Sequence, residues 1–263
     1  MSDSLEYTEK EAKQEEANYR TPSMVARRRL VRERLGLQAG EDVLSLGCGP
    51  GFEPAELAEA VGPEGHVHAI DRSEAMLALA ERRCGDVPQV TLTNADATDL
   101  PIADESVDAV TAVQIYEYVE ELDAALDELY RVLRSGGRAV VYDTDFDSLV
   151  WRSTDRERME RVLDAFDSHC PRPHLGSRLG PRLREAGLTV ELIEPNSICN
   201  TRLDEDTFSY HLMEAIRDYV VDRDLIDPSV ADAWVMDLQQ LDENGGLFFN
   251  LTQFLYVVQK SGK

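Results

Sequence analysis

Residues 43–54 read VLSLGCGPGFEP. The apolar residues Val43, Leu44 and Leu46 have the length and composition of a short buried strand. They run into Gly47, Gly49 and Gly51, and a helical pattern follows from about Glu53. Strand, glycine turn and helix make a nucleotide site in an open α/β sheet. Glycine lets the backbone bend tightly and lets a ligand approach with no Cβ in the way. A dinucleotide fingerprint wants Gly or Ala at the sixth position of G-x-G-x-x-G. That position is Phe52 here, so the run is G-x-G-x-G. Other residues carry chemistry by type. His169, His174 and His211 are candidate proton acceptors, with Tyr116 as an alternative. Asp143, Asp145 and Asp147 either bind a metal or cationic amine or form a solvated acidic loop; the loop is the reading adopted, and no metal is expected. Cys48, Cys84, Cys170 and Cys199 show no C-x-x-C and no zinc-ligand spacing, which fits buried free thiols in a reducing compartment.

The elements that must position these residues alternate along the chain. Strand patterns at 43–46, 66–70, 89–93, 107–113 and 138–142 are interleaved with helical patterns at 53–61, 73–83 and 122–133. Such alternation predicts right-handed crossovers and a parallel sheet. Thr21-Pro22 opens a helix over 23–35, with proline in its first turn. Later come helical patterns at 154–168 and 174–186 and strands at 189–194 and 251–258. The stretch between those strands has helical patterns at 207–221 and 229–241, and is too long for a simple loop. It is expected to be a lid over the C-terminal edge of the sheet, where ligands bind.

Net charge is −24, from 27 basic and 51 acidic residues. That balance repels phosphates and argues against nucleic acid as a partner. Only Lys10, Lys13, Lys260 and Lys263 are lysines; every other basic residue is arginine. Acid-rich, lysine-poor surfaces are a trait of halophilic proteins, since high salt screens self-repulsion; an acidic mesophilic enzyme is the alternative. No 18-residue apolar run is present, so no membrane span is expected. The acidic N-terminus lacks the features of a signal peptide, and a cytoplasmic protein, monomer or homodimer, is expected.

Residues 19–145 resemble a class I S-adenosyl-L-methionine (SAM)-dependent methyltransferase, through several motifs in the right order. After Gly47-Cys48-Gly49-Pro50-Gly51 comes HVHAIDRSEAML, residues 66–77. Asp71 there implies an acceptor for both ribose hydroxyls; Ser73 suffices to cap the next helix. In NADATDLPIADESVDAV, residues 94–110, Asp96 and Ala97 match the adenine-side segment. In AVQIYEYV, Gln114 is the cofactor-side contact, and Tyr116 and Tyr118 either touch substrate or pack an amphipathic segment. ELYRVLRSGGRAVVYD, residues 128–143, is similar to the helix-to-strand turn of the family, with Gly136 and Gly137 ending the helix. Tyr19, Arg20 and Thr21 sit where relatives close a flap over the cofactor. The implied cofactor set is Tyr19, Thr21, Gly47, Cys48, Gly49, Gly51, Asp71, Arg72, Met76, Asp96, Ala97 and Gln114. Candidate catalytic residues are Tyr116, His169 and His174. The chain departs from the family at Ser45, where most relatives have an acid that helps organise the methionine amino end of SAM.

Within the superfamily the resemblance is to ubiquinone/menaquinone C-methyltransferase-like enzymes. It implies an α/β, Rossmann-like, seven-stranded, mostly parallel doubly wound sheet, with an antiparallel last strand and a helical lid between strands six and seven. The expected organisation is an N-terminal helical flap over 1–40, a SAM-binding domain over 41–195 and 251–263, and a substrate lid over 196–250. The implied activity is methyl transfer from SAM to a small organic acceptor of aromatic or quinone-like type. Alternatives are a non-catalytic SAM- or nucleoside-binding regulator, an arsenite methyltransferase and an NAD(P)-dependent oxidoreductase.

Overall fold

The computed structural model describes residues 15–262. Residues 1–14 of the expected flap lie outside them. Seven strands form one sheet in the order β3-β2-β1-β4-β5-β7-β6. They are β1 (Asp42–Leu46), β2 (His66–Asp71), β3 (Val90–Asn94), β4 (Val107–Val113), β5 (Leu133–Trp151), β6 (Leu188–Asn200) and β7 (Phe249–Lys260). The first five are parallel to one another. β7 is antiparallel to both β5 and β6. The expected mostly parallel sheet with an antiparallel last strand is therefore present.

Alternation along β1 assigns its side chains to two faces. Leu44 and Leu46 join one core with α4 (Leu122–Val132) and α6 (Leu179–Glu185). Val43 joins the opposite core with α1 (Pro22–Leu35) and α2 (Phe52–Val61). Ser45, two residues from Val43, shares that second face. α4 shows why the sequence folds this way: Leu122, Ala125, Leu126, Leu129 and Val132 recur at helical spacing and are all buried. α3 (Glu74–Cys84) is capped by Ser73, whose hydroxyl accepts a hydrogen bond from Met76 N–H.

Strands five to seven are longer than their apolar runs predict. β5 begins at Leu133 and reaches Trp151. Gly136 and Gly137 therefore lie inside the strand, not at the helix end. Gly136, with φ +80°, sits where the pairing of β5 with β4 shifts register, and the bulge absorbs the extra residues. Polar residues in the distal halves hid the extensions, which pair with β7 beyond the end of β4. The extended strands carry a third core formed with α5 (Arg156–Phe166), α7 (Phe208–Asp222) and α8 (Pro228–Glu243). Trp234 is fully buried at its centre. No helix among the described residues is long and apolar enough to cross a membrane.

Candidate functional site

A cavity of about 340 Å³ opens at the carboxyl ends of β1, β2 and β4. Strand order reverses between β1 and β4, and open α/β sheets bind ligands at such a switch point. Nine of the expected cofactor residues line it: Tyr19, Gly47, Gly49, Asp71, Arg72, Met76, Asp96, Ala97 and Gln114. The wall also includes Ile115, Tyr118 and Val119 from the turn after β4, with Thr98 beside Asp96.

Three expected residues stand behind this wall. Thr21 is buried at the N-terminus of α1, its hydroxyl donating to Asn18 O at 2.8 Å. Cys48 is buried against Ala69 and Ala80. Gly51, with φ +83°, faces α3, and a Cβ there would lie 2.8 Å from Ala80 Cα. Its role is close packing of two helices on the turn. Gly47, with φ +66°, faces the Ile115 side chain, which would collide with any Cβ. Phe52 has a packing reason of its own. Its ring stacks at 6.0 Å from that of Tyr19 and carries the Arg83 guanidinium at 3.5 Å. It fixes the segment before α1 to the glycine turn.

Asp71 is held by its own loop. Oδ2 accepts from Gly49 N–H and Oδ1 from Ser73 N–H, both at 2.8 Å. An ionised carboxylate has about four acceptor sites, so two are left for a ligand diol. Burial pushes this carboxyl up, and the two N–H groups oppose that shift. Asp96 is exposed; its Oδ1 accepts from Thr98 N–H at 2.9 Å and Thr98 hydroxyl at 2.7 Å. Gln114 has φ +55°, an uncommon conformation for a non-glycine residue and one that clusters at functional sites. Its N–H donates to Tyr142 O at 2.6 Å. Its side-chain oxygen accepts from Arg27, and its amide nitrogen donates to Thr144 Oγ1 at 3.1 Å.

The candidate bases are not in the cavity wall. Tyr116 is fully buried, and its hydroxyl has no hydrogen-bond partner among the described residues. His169 is buried, with its ring 4.0 Å from that of Phe166 and 5.0 Å from that of Phe146. Its Nδ1 lies 2.8 Å from Phe166 O. A carbonyl only accepts, so Nδ1 carries the proton and Nε2 holds a bare lone pair. Burial lowers this imidazole to about 4 and keeps it neutral. Tyr118 links the two regions, since it lines the cavity and its ring centroid is 6.1 Å from that of His169. Arg172 holds the His169 loop in place by donating to Val119 O and Glu120 O. His174 lies between Asp147 and Asp167, 3.2 Å from each. His211 Nε2 lies 2.8 Å from Glu205 O.

The acidic run divides. Asp145 and Asp147 gather with His174, but their oxygens are already engaged by Asp147 N–H, Ser177 N–H and the Arg178 guanidinium. Asp143 turns inward beside Glu117. Both are fully buried; Asp143 Oδ1 accepts from Glu117 N–H, and Glu117 Oε2 from Thr144 N–H. Burial raises both carboxyls, and proximity to Asp143 raises Glu117 further. The folded form therefore keeps protons that the unfolded chain releases, so this pair stabilises below the ordinary carboxylate range and loses that contribution as pH rises towards and past neutrality. Asp143→Asn keeps the acceptor for Glu117 N–H and removes the ionisation. Relative to wild type it should gain on the order of 2 kcal/mol between pH 5 and 8. Urea titrations of both proteins check this; parallel pH profiles would remove the pair from the account.

Two buried charged residues escaped the sequence reading. Arg27 is 2% exposed, and Glu53 is 6% exposed. Glu53 Oε2 accepts from Thr111 Oγ1 at 3.2 Å and from Ser45 Oγ at 3.4 Å. A signal for Arg27 existed. Met24, Val31 and Leu35 mark the buried stripe of α1, and positions 27 and 28 fall on it. For Glu53 there was none, because its partners come from two separate strands.

The sheet order, the glycine turn and the acid at the end of β2 agree with the Rossmann-like methyltransferase fold expected from the sequence. Residues 44–141 match the methyltransferase domain family. A demethylmenaquinone methyltransferase of Clavibacter sepedonicus is 46% identical over 39% of this chain and 41% of its own length. An arsenite methyltransferase of Halobacterium salinarum is 31% identical over 71% of this chain and 44% of its own length. The chain thus spans less than half of each of these curated relatives. The solved phosphoethanolamine N-methyltransferase 2 of Haemonchus contortus, in complex with SAM, aligns at TM-score 0.66 and 17% identity over 98% of this chain and 58% of that one.

Proposed function

We propose that the protein transfers the methyl group of SAM to a small organic acceptor of aromatic or quinone-like type. The observation that carries this reading is the switch-point cavity. There the half-engaged Asp71 carboxylate stands opposite the glycine turn, with Asp96 and Ala97 further along the wall. Those residues suit a nucleoside: Asp71 for the ribose hydroxyls, Asp96 and the backbone at Ala97 for the adenine edge, Tyr19, Gly47, Gly49 and Gln114 for the other end.

When bound, SAM supplies an activated sulfonium methyl carbon, so the protein's tasks are alignment, exclusion of water and removal of a proton. Ile115, Tyr118 and Val119 give the acceptor side an apolar wall. Behind it the rings of Phe146, Phe166 and Tyr219 surround His169. His169, neutral with its proton fixed on Nδ1, stands behind Tyr118 and outside the cavity wall, so we assign it a positioning role for that ring. Phe166 of α5 and Tyr219 of α7 pack against each other behind that wall. The name of the Clavibacter relative supports a quinone-like acceptor. Arsenite is disfavoured because the one metal-competent cluster among the described residues contains no cysteine, and Cys199 is exposed whereas Cys170 is buried.

The test is transfer of labelled methyl from SAM to reduced quinones and phenols at molar salt, with calorimetry against SAM and NADH. Label should reach an organic product, SAM should bind and NADH should not. Binding of SAM without transfer to any acceptor or lysate extract would favour the regulatory alternative.

A further inference from the structure

The turn after β4 supplies Ile115, Tyr118 and Val119 to the cavity wall and continues along it to Glu120 and Glu121. Its own backbone bonds are local: Tyr118 N–H donates to Ile115 O at 3.0 Å and Val119 N–H to Tyr116 O at 3.3 Å. Three carbonyls of the turn find their donors on one distant residue. Arg172 N–H donates to Glu117 O at 3.1 Å. The Arg172 guanidinium donates to Val119 O through one nitrogen and to Glu120 O, at 2.7 Å, through the other. The chain has 51 acidic residues, yet this arginine forms no ion pair among the described residues; its charge faces peptide carbonyls. Arg172 is itself stiffly held. Pro171 and Pro173 flank it, and a proline fixes its own φ and restricts the residue before it. Pro173 O accepts from Phe146 N–H of β5 at 2.9 Å, and Gly176 O from the Tyr256 hydroxyl of β7 at 2.7 Å. The loop between α5 and α6 is thereby pinned to the sheet.

We propose that Arg172 is a positioning residue for the methyl acceptor: it clamps residues 117–121 so that Tyr118 meets a flat aromatic acceptor at one fixed place. The acceptor class rests on the reading above; the clamp is new. Tyr118 is held twice, by its backbone through Arg172 and by its ring through His169, 6.1 Å away on the same loop. His169 in turn stacks on Phe166 of α5 at 4.0 Å, and α5 belongs to the cap that α5, α7 and α8 form on the extended strands. The loop therefore carries the position of the cap to the acceptor side of the cavity. The bonds of Arg172 go to none of Gly47, Gly49, Asp71 or Asp96, so the nucleoside end is independent of it. Transfer between two bound molecules depends steeply on their alignment, and a shift of about 1 Å costs on the order of 100-fold.

Calorimetry with two ligands separates the two ends of the site: S-adenosylhomocysteine alone, then 2-naphthol, a stable flat phenol, added to the protein saturated with S-adenosylhomocysteine. Arg172→Met keeps the apolar stem and removes the fork. It should weaken 2-naphthol about 10- to 100-fold and leave S-adenosylhomocysteine within about twofold. Arg172→Lys, a single point charge in place of a two-pronged donor, should fall between wild type and Arg172→Met. Tyr118→Phe should bind 2-naphthol like the wild type, and Tyr118→Ala should lose as much as Arg172→Met. Because Arg172 acts through Tyr118, Arg172→Met added to Tyr118→Ala should cost nothing more, a coupling that a merely structural role would not produce. Melting temperatures of the free proteins identify any variant that fails to fold; if Arg172→Met is one, the Arg172→Lys and Tyr118→Ala cycle decides. Equal losses for both ligands, no loss for either, or additive losses would overturn the clamp while leaving the aromatic acceptor reading intact. A wild type that binds S-adenosylhomocysteine and not 2-naphthol would overturn both.

Discussion

Asp71→Ala should bind S-adenosylhomocysteine at least about 100-fold more weakly than the wild type, since two hydrogen bonds to a charged acceptor are worth roughly 3 kcal/mol or more together. The carboxylate sits at the carboxyl end of β2, half-buried and fixed from both sides by Gly49 and Ser73 N–H groups. Those bonds pre-orient it, so a ribose diol meets acceptors already in place. The substitution also strips both N–H groups of their acceptor, and a lower melting temperature is expected alongside the binding loss. Asp71→Asn separates these effects. It keeps one carbonyl oxygen and places an NH₂ against the other donor, so binding should fall between wild type and Asp71→Ala. Calorimetry with S-adenosylhomocysteine and thermal melts of the free proteins are the measurements. If Asp71→Ala binds within threefold of wild type, the acid only ties the loop together and the ribose assignment is wrong.

Trp234→Ala should destabilise the protein by about 3–5 kcal/mol, the usual range for emptying a large buried aromatic site. Trp234 has no exposed surface. Its ring meets that of Trp151 edge-on at 5.5 Å, and its indole N–H points at Met159 Sδ at 3.1 Å. It therefore joins α8 to α5 and to the far end of β5. The loss should be local, because this core is distinct from the two that flank the parallel strands. Every described residue of the cavity wall lies between positions 19 and 121. We therefore expect nearly unchanged binding of S-adenosylhomocysteine, loss of methyl transfer, and a separate early step in urea unfolding monitored by tryptophan fluorescence. One cooperative transition, with nucleoside binding lost in step, would show that cap and sheet are a single unit and would defeat the division of labour proposed for them.

The parallel strands and their crossover helices were legible because each carries its information locally. Leu122 to Val132 repeats at helical spacing, Ser73 caps α3, and Thr21-Pro22 opens α1. The distal parts of β5 and β6 were not legible. Residues such as Asp145, Asn196 and Ser197 give no strand pattern, and they are extended only because β7 supplies their ladder partners. Gly136-Gly137 misled for a related reason: a glycine pair signals a helix stop, whereas pairing with β4 made it a bulge.

The sequence by itself determined which residues from the strand ends line the cavity. Gly47, Gly49, Asp71 and Asp96 sit at strand ends whose order along the chain dictates one cavity, since backbone geometry and short-range spacing decide where a turn binds. The tertiary structure alone decided how that cavity is charged and what stands beyond it. Glu53 meets Ser45 and Thr111, Arg27 meets Gln114, Asp143 meets Glu117, and His169 comes to lie beside Tyr118. Most of these partners are dozens of residues apart in the chain. Electrostatics and burial act through space, so no local pattern announces which charged side chains will face one another inside.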